Sequence, residues 1–90
     1  MEIPKSKAAF RRLPSGTKLI LVRNQMGDVG EARVITSIID KGRTMTLRHP
    51  KGYTGFLPLT GEFFNTETTF GFRENGEVSA EYRFDTEAVK

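Results

Sequence analysis

The 90-residue chain contains no cysteine, no tryptophan and a single histidine. Without cysteine there is no disulfide staple, no thiolate nucleophile and no thiolate metal ligand, so stability rests on packing and backbone pairing. His49 has no second imidazole with which to share a metal, and it stands directly before Pro50 in turn-forming sequence. Neither metal binding nor acid–base catalysis is therefore expected. GDVGE (27–31) lacks the oxygen density of a calcium loop. No phosphate-binding loop ending in Gly-Lys-Ser/Thr and no dinucleotide fingerprint occurs. These absences describe a non-enzymatic protein that uses no cofactor. No apolar run approaches the roughly 18 residues of a spanning helix, and MEIPKSKAAFRR carries charge with no apolar segment behind it, unlike a secretory signal. The expected setting is cytoplasmic, with no membrane partner.

The charge that is present is unevenly placed. The formal net charge is +3, but residues 1–61 carry eleven Lys/Arg against four Asp/Glu, whereas residues 62–90 carry three against seven. A basic body followed by an acidic section suits a nucleic acid or an acidic protein as partner.

Ten threonines, five valines and five isoleucines stand against five alanines, and β-branched side chains fit a pleated, half-buried surface. Nine glycines recur from Gly16 to Gly76 and cut the chain into short pieces, the pattern of a small all-β domain. We expect a strongly bent sheet or barrel of five to six strands over residues 13–84. A basic arm or short helix (1–12) precedes it and a frayed tail (85–90) follows.

SKAAFRR (6–12) is the one helical segment, with Ser6 as cap and Pro14 as stop. LILV (19–22) has apolar side chains on both faces and reads as a central strand. NQMGDVG (24–30) reads as a loop. EARVITSIID and TMTLRH form a hairpin through Lys41-Gly42, which would set Ile38 opposite Met45 and Thr36 opposite Leu47. In HPKGYTG, Pro50 and Gly52 suit the second and fourth places of a turn. FLPL (56–59) is a short strand that Pro58 confines to an edge or an end, and Met45, Leu47, Phe56 and Leu57 are read as core.

For the last hairpin a two-residue Asn75-Gly76 loop would strand Val78, Ala80 and Tyr82 on the wrong face. A three-residue Glu74–Gly76 loop instead sets Phe72 opposite Val78 and Phe70 opposite Ala80, with Gly76 left-handed beside a bulge.

Phosphate contacts need flexible cations and base contacts need exposed planar groups. Arg11, Arg12, Arg43, Arg48 and Lys51 supply the first, and Tyr53, beside Gly52 in a turn, supplies the second. A non-enzymatic nucleic-acid-binding module built on these residues is the leading expectation. The alternative is a protein-interaction module using strand edges or the acidic last hairpin, with Glu67, Glu74, Glu77, Glu81, Asp85 and Glu87.

LPSGTKLILV, ARVITSI and RTMTLRHPKGYTGFLPL together resemble, over about residues 13–60, a Src-homology-3-like small barrel of the Tudor or translation-factor kind. That likeness implies a glycine-led first strand, a loop, a hairpin and a short closing strand. The chain lacks the aromatic pairs and acidic loop that hold proline-rich peptides in true Src-homology-3 domains. GTKLILVRN followed by RVIT is also similar to small uncharacterised bacteriophage proteins, which implies an accessory or inhibitory protein acting on a host protein.

Overall fold

The computed structural model describes residues 2–85. Its elements are α1 (Lys7–Arg11), β1 (Lys18–Asn24), β2 (Gly27–Ile39), β3 (Thr44–Arg48), β4 (Thr54–Pro58), β5 (Glu62–Asn65), β6 (Phe70–Glu74) and β7 (Glu77–Phe84). The strands form one antiparallel sheet in the order β4-β3-β2-β1-β7-β6-β5. The all-β class with one short helix is as expected, and β1 is central. Seven strands form rather than five or six. The additional one, β5, is EFFN, whose adjacent phenylalanines carry no alternation to mark it.

This order forces curvature. β4 and β5 lie at opposite edges of the sheet, yet only Leu59, Thr60 and Gly61 separate them in the chain. Laid flat, six interstrand steps of about 4.8 Å would hold the edges roughly 29 Å apart. Three intervening residues reach no further than about 14 Å. The sheet therefore curls until its edges approach, and the concave face becomes the core.

α1 plugs that core. The Ser6 hydroxyl accepts from Ala9 N–H at 3.1 Å, closing the first turn. A five-residue helix is not stable by itself; Phe10 holds it, with no solvent exposure. Its ring lies edge-on to Phe70 (5.4 Å between centroids), Phe72 (5.3 Å) and Phe63 (6.3 Å). Leu19, Leu21, Ile35, Met45, Leu47, Leu57, Leu59, Ala80 and Tyr82 complete the core. The arm is thus docked rather than loose. Among the described residues no helix is long and apolar enough to cross a membrane.

Two expectations about the first two hairpins need correction. The segment 24–30 is not a loop: β1 and β2 meet at Asn24–Gly27, where the Asn24 side chain accepts from Met26 N–H at 2.8 Å. In the second hairpin Ile38 does face Met45, but Leu47 faces Ile35 rather than Thr36. A bulge falls there because the Thr36 and Ser37 hydroxyls both bond Thr46 Oγ1, at 2.6 and 2.7 Å. Lys41 (φ 57°) and Gly42 (φ 89°) form the expected two-residue turn, closed by Arg43 N–H donating to Asp40 O at 3.1 Å.

In the last hairpin, Glu74 faces Glu77 across a two-residue Asn75-Gly76 loop, both residues with positive φ. The three-residue loop does not form. The register still brings the aromatic face inward, because a bulge at Ser79 shifts it by one residue; Phe72 then faces Ala80, and Phe70 faces Tyr82. Ser79 Oγ donates to Phe72 O at 3.1 Å across that bulge. The burial argument held, but the slip sits in the strand. Asp85 N–H donates to Lys18 O at 3.0 Å, and the remainder of the expected frayed tail lies outside the described residues.

Candidate functional site

The β3–β4 hairpin carries most of the candidate residues. His49-Pro50-Lys51-Gly52 is a turn closed by Gly52 N–H donating to His49 O at 2.8 Å, with proline and glycine in the expected places. His49 Nδ1 accepts from Lys51 N–H at 3.2 Å, and the ring stacks on Tyr53 at 4.3 Å and 15°. Tyr53 remains 58% exposed, so one ring face is covered by the histidine while much of the side chain stays open.

Strand alternation divides these groups. Arg48, Thr54 and Phe56 share the outer face, since Arg48 pairs with Thr54 and Thr46 with Phe56. Leu47 and Leu57 point inward, and His49 and Tyr53 follow their parity. Phe56, expected in the core, is 67% exposed. Of two adjacent apolar residues in a strand only one can face the core, and Leu57 takes that place. The alternation of Phe56 with Gly55 and Leu57 was the available signal for this exposed aromatic.

At the other end of β3 a second basic group forms. A Cβ placed on Gly42 would lie 3.3 Å from Arg11 Cδ and 3.8 Å from its Cζ. The Arg11 guanidinium therefore lies over the Lys41–Gly42 turn, next to Arg43. Arg12 caps α1 at its C-terminus and is exposed. Arg11 thus meets residues 41–43, while Arg48, Lys51 and Tyr53 sit at the far end of a five-residue strand, about 17 Å away. Phe56 stands between the two groups, opposite the middle of β3.

Beside β4 the curled sheet leaves a groove of about 400 Å³, with Leu21, Leu47, Tyr82, Arg33 and His49 in its lining. Gly55–Pro58 of β4 line it together with Glu74 and Ser79. Arg33 Nη1 donates to Ala32 O at 2.8 Å, and the Glu31 carboxylate lies 3.8 Å from both Arg33 and His49. Burial pushes the Tyr82 hydroxyl up to about 12, against the opposing pull of the Arg33 charge.

The acidic hairpin is not uniformly solvated. Glu81 is buried on the outer face and bonded by Arg23. Burial acts to raise its pKa, but hydrogen bonds from Thr69 and Arg23, with the charges of Arg23 and Arg73, hold it below the ordinary carboxylate range. Glu67, Glu74 and Glu77 are exposed, and Glu87 lies outside the described residues. Among the described residues no group of three His, Asp or Glu is placed to hold a metal ion. No protein-family model, curated protein or solved structure matches the chain, so the functional reading rests on this geometry alone.

Proposed function

We propose that the chain is a non-enzymatic nucleic-acid-binding module that lays a strand along the β3–β4 hairpin. The observation that carries this reading is the position of Phe56, 67% exposed between two basic groups. Arg11 and Arg43 would take phosphates at one end, and Arg48 and Lys51 at the other. Phe56, on the outer face with Arg48, would offer a planar face to a base, a contact worth about 1–3 kcal/mol, while Tyr53 has the opposite parity and would meet the strand only at the hairpin end. Such stacking tolerates any sequence, which suits a surface with no side chains arranged to read base edges. The small-barrel likeness of residues 13–60 is part of the same reading. Titration of short labelled DNA and RNA at two salt concentrations tests it. Binding should be tight at low salt and fall steeply as salt rises, because cations on phosphates release counterions. Absence of binding at low salt overturns it.

A second reading, a protein-interaction module, is favoured by one observation: the edge of β4 is not paired within the described sheet. Recovery of a stoichiometric protein partner from nuclease-treated lysate, with no affinity for oligonucleotides, would favour it over the first.

A further inference from the structure

We infer that β4 pairs with β4 of a second copy of this chain, antiparallel about a two-fold axis at Phe56. The argument begins with which backbone groups are free. His49 N–H donates to Tyr53 O at 2.8 Å, and Leu59 N–H donates to Arg43 O at 2.7 Å. Hydrogen-bonding residues alternate along an antiparallel strand. Tyr53, Gly55, Leu57 and Leu59 therefore turn their backbone groups toward β3, and Thr54, Phe56 and Pro58 turn theirs outward. Pro58 has no N–H, so the free edge offers the N–H groups of Thr54 and Phe56 and the C=O groups of all three residues.

That edge is self-complementary. With Phe56 opposite Phe56 of the second copy, each Phe56 N–H meets the other's C=O. Thr54 N–H meets the Pro58 C=O of the second copy. Both outward donors of each chain are satisfied, and the missing proline N–H leaves only a carbonyl of Thr54 to water. Proline on an edge normally blunts it against pairing; here it falls where no donor is required.

The side chains agree with this register. The two Phe56 rings, largely exposed in the single chain, come together on the outer face as a cross-strand aromatic pair. On the inner face Gly55 lies opposite Leu57 of the second copy and presents no side chain to obstruct it. Arg48, one strand inward beside Thr54, lines up with Pro58 and then Thr44 of the second copy, so no like charges meet. Glu74 and Ser79 line the same groove as this edge. The opposite edge differs, because Phe63 of β5 is turned inward against Phe10.

The pairing does not depend on nucleic acid, and its test is run without any. Because the chain has no cysteine, a single introduced thiol is a clean reporter. In the inferred register Phe56→Cys places two Cα atoms about 5.5 Å apart, within the range a disulfide spans. Mild oxidation should give a covalent dimer. Thr54→Cys alone should stay monomeric on a denaturing gel, and Thr54→Cys with Pro58→Cys should cross-link. Sedimentation of the unaltered chain should show a concentration-dependent dimer. Phe56→Pro should abolish it with the circular dichroism of the sheet unchanged, since only an outward N–H is removed. A chain that stays monomeric at every concentration, or a dimer indifferent to Phe56→Pro, overturns the inference. So does a preferred cross-link through Gly55→Cys, which reports a slipped register, and so does a monomer whose β4 edge takes only a different polypeptide. Oligonucleotide binding by an unaltered chain that is monomeric at every concentration would leave the nucleic-acid reading standing while the edge pairing fails.

Discussion

Arg23 Nη2 lies 2.6 Å from Glu81 Oε1, directly across the β1–β7 pair, with the carboxylate buried and the guanidinium half exposed. The pair links the central strand to the β5–β7 half of the sheet on its outer face. Arg73 adds a second positive charge near Glu81 and is itself held 4.5 Å above the Phe64 ring.

Acid should therefore weaken the fold in a defined way. The folded pKa of Glu81 is lowered, so its contribution is present above the unfolded value of about 4.3 and is lost as pH falls through the folded value. Urea unfolding at neutral pH should show Glu81→Gln less stable by about 2 kcal/mol. The gap between variant and parent should close in strong acid, where the parent carboxyl is also protonated.

Alkali should act through Tyr82. Its pKa is raised to about 12 by burial, so the neutral phenol belongs to the folded state. Stability is full below the unfolded value of about 10 and declines as pH rises from there toward 12. Absorbance titration should show one tyrosine ionising only near that upper limit. Tyr82→Phe should remove this late step.

Phe10 should be the most costly side chain to truncate. It is completely buried among Phe63, Phe70, Phe72 and Tyr82, and Phe10→Ala should destabilise by about 3–5 kcal/mol. Denaturant titration should show this loss, with near-ultraviolet circular dichroism weakened as the aromatic cluster loosens. A loss below about 1 kcal/mol would mean that α1 is not the plug of the core.

The turn at Lys41 stores strain that can be relieved. Lys41 holds φ 57° and ψ 35°, next to Asp40 at φ 53°, where an ordinary side chain is disfavoured. Lys41→Asn would copy the Asn75-Gly76 loop, whose residues have φ 53° and 81°. It should raise stability by about 0.5–1 kcal/mol, read as a higher denaturation midpoint at unchanged slope.

Features set by neighbouring residues were legible in the sequence. The Ser6 cap, the Pro50–Gly52 turn and the central place of LILV each follow from a few adjacent side chains. The face assignment of Phe70 and Phe72 was legible as well, because burial admits only one parity. How the chain achieves that parity was not: Ser79 and Thr36 make bulges by bonding across to another strand, and such a partner is not visible locally. The exposure of Phe56 was hidden because FLPL offers two adjacent apolar residues for one inward place. Whether Arg11 meets residues 48–53 was not legible in the sequence, because Phe10 fixes where α1 docks, and that contact carries Arg11 to the Lys41–Gly42 turn.

Fluorescence anisotropy of a short single-stranded oligonucleotide at low salt, with the parent protein and its Phe56→Ala and Phe56→Trp variants, tests the central claim most directly. The account predicts that the parent binds and that Phe56→Ala weakens binding roughly tenfold, the loss of one stacked base. Phe56→Trp should restore it, and Arg48→Gln should flatten the salt dependence. Binding that is absent in the parent, or equal in the parent and Phe56→Ala, would contradict the account.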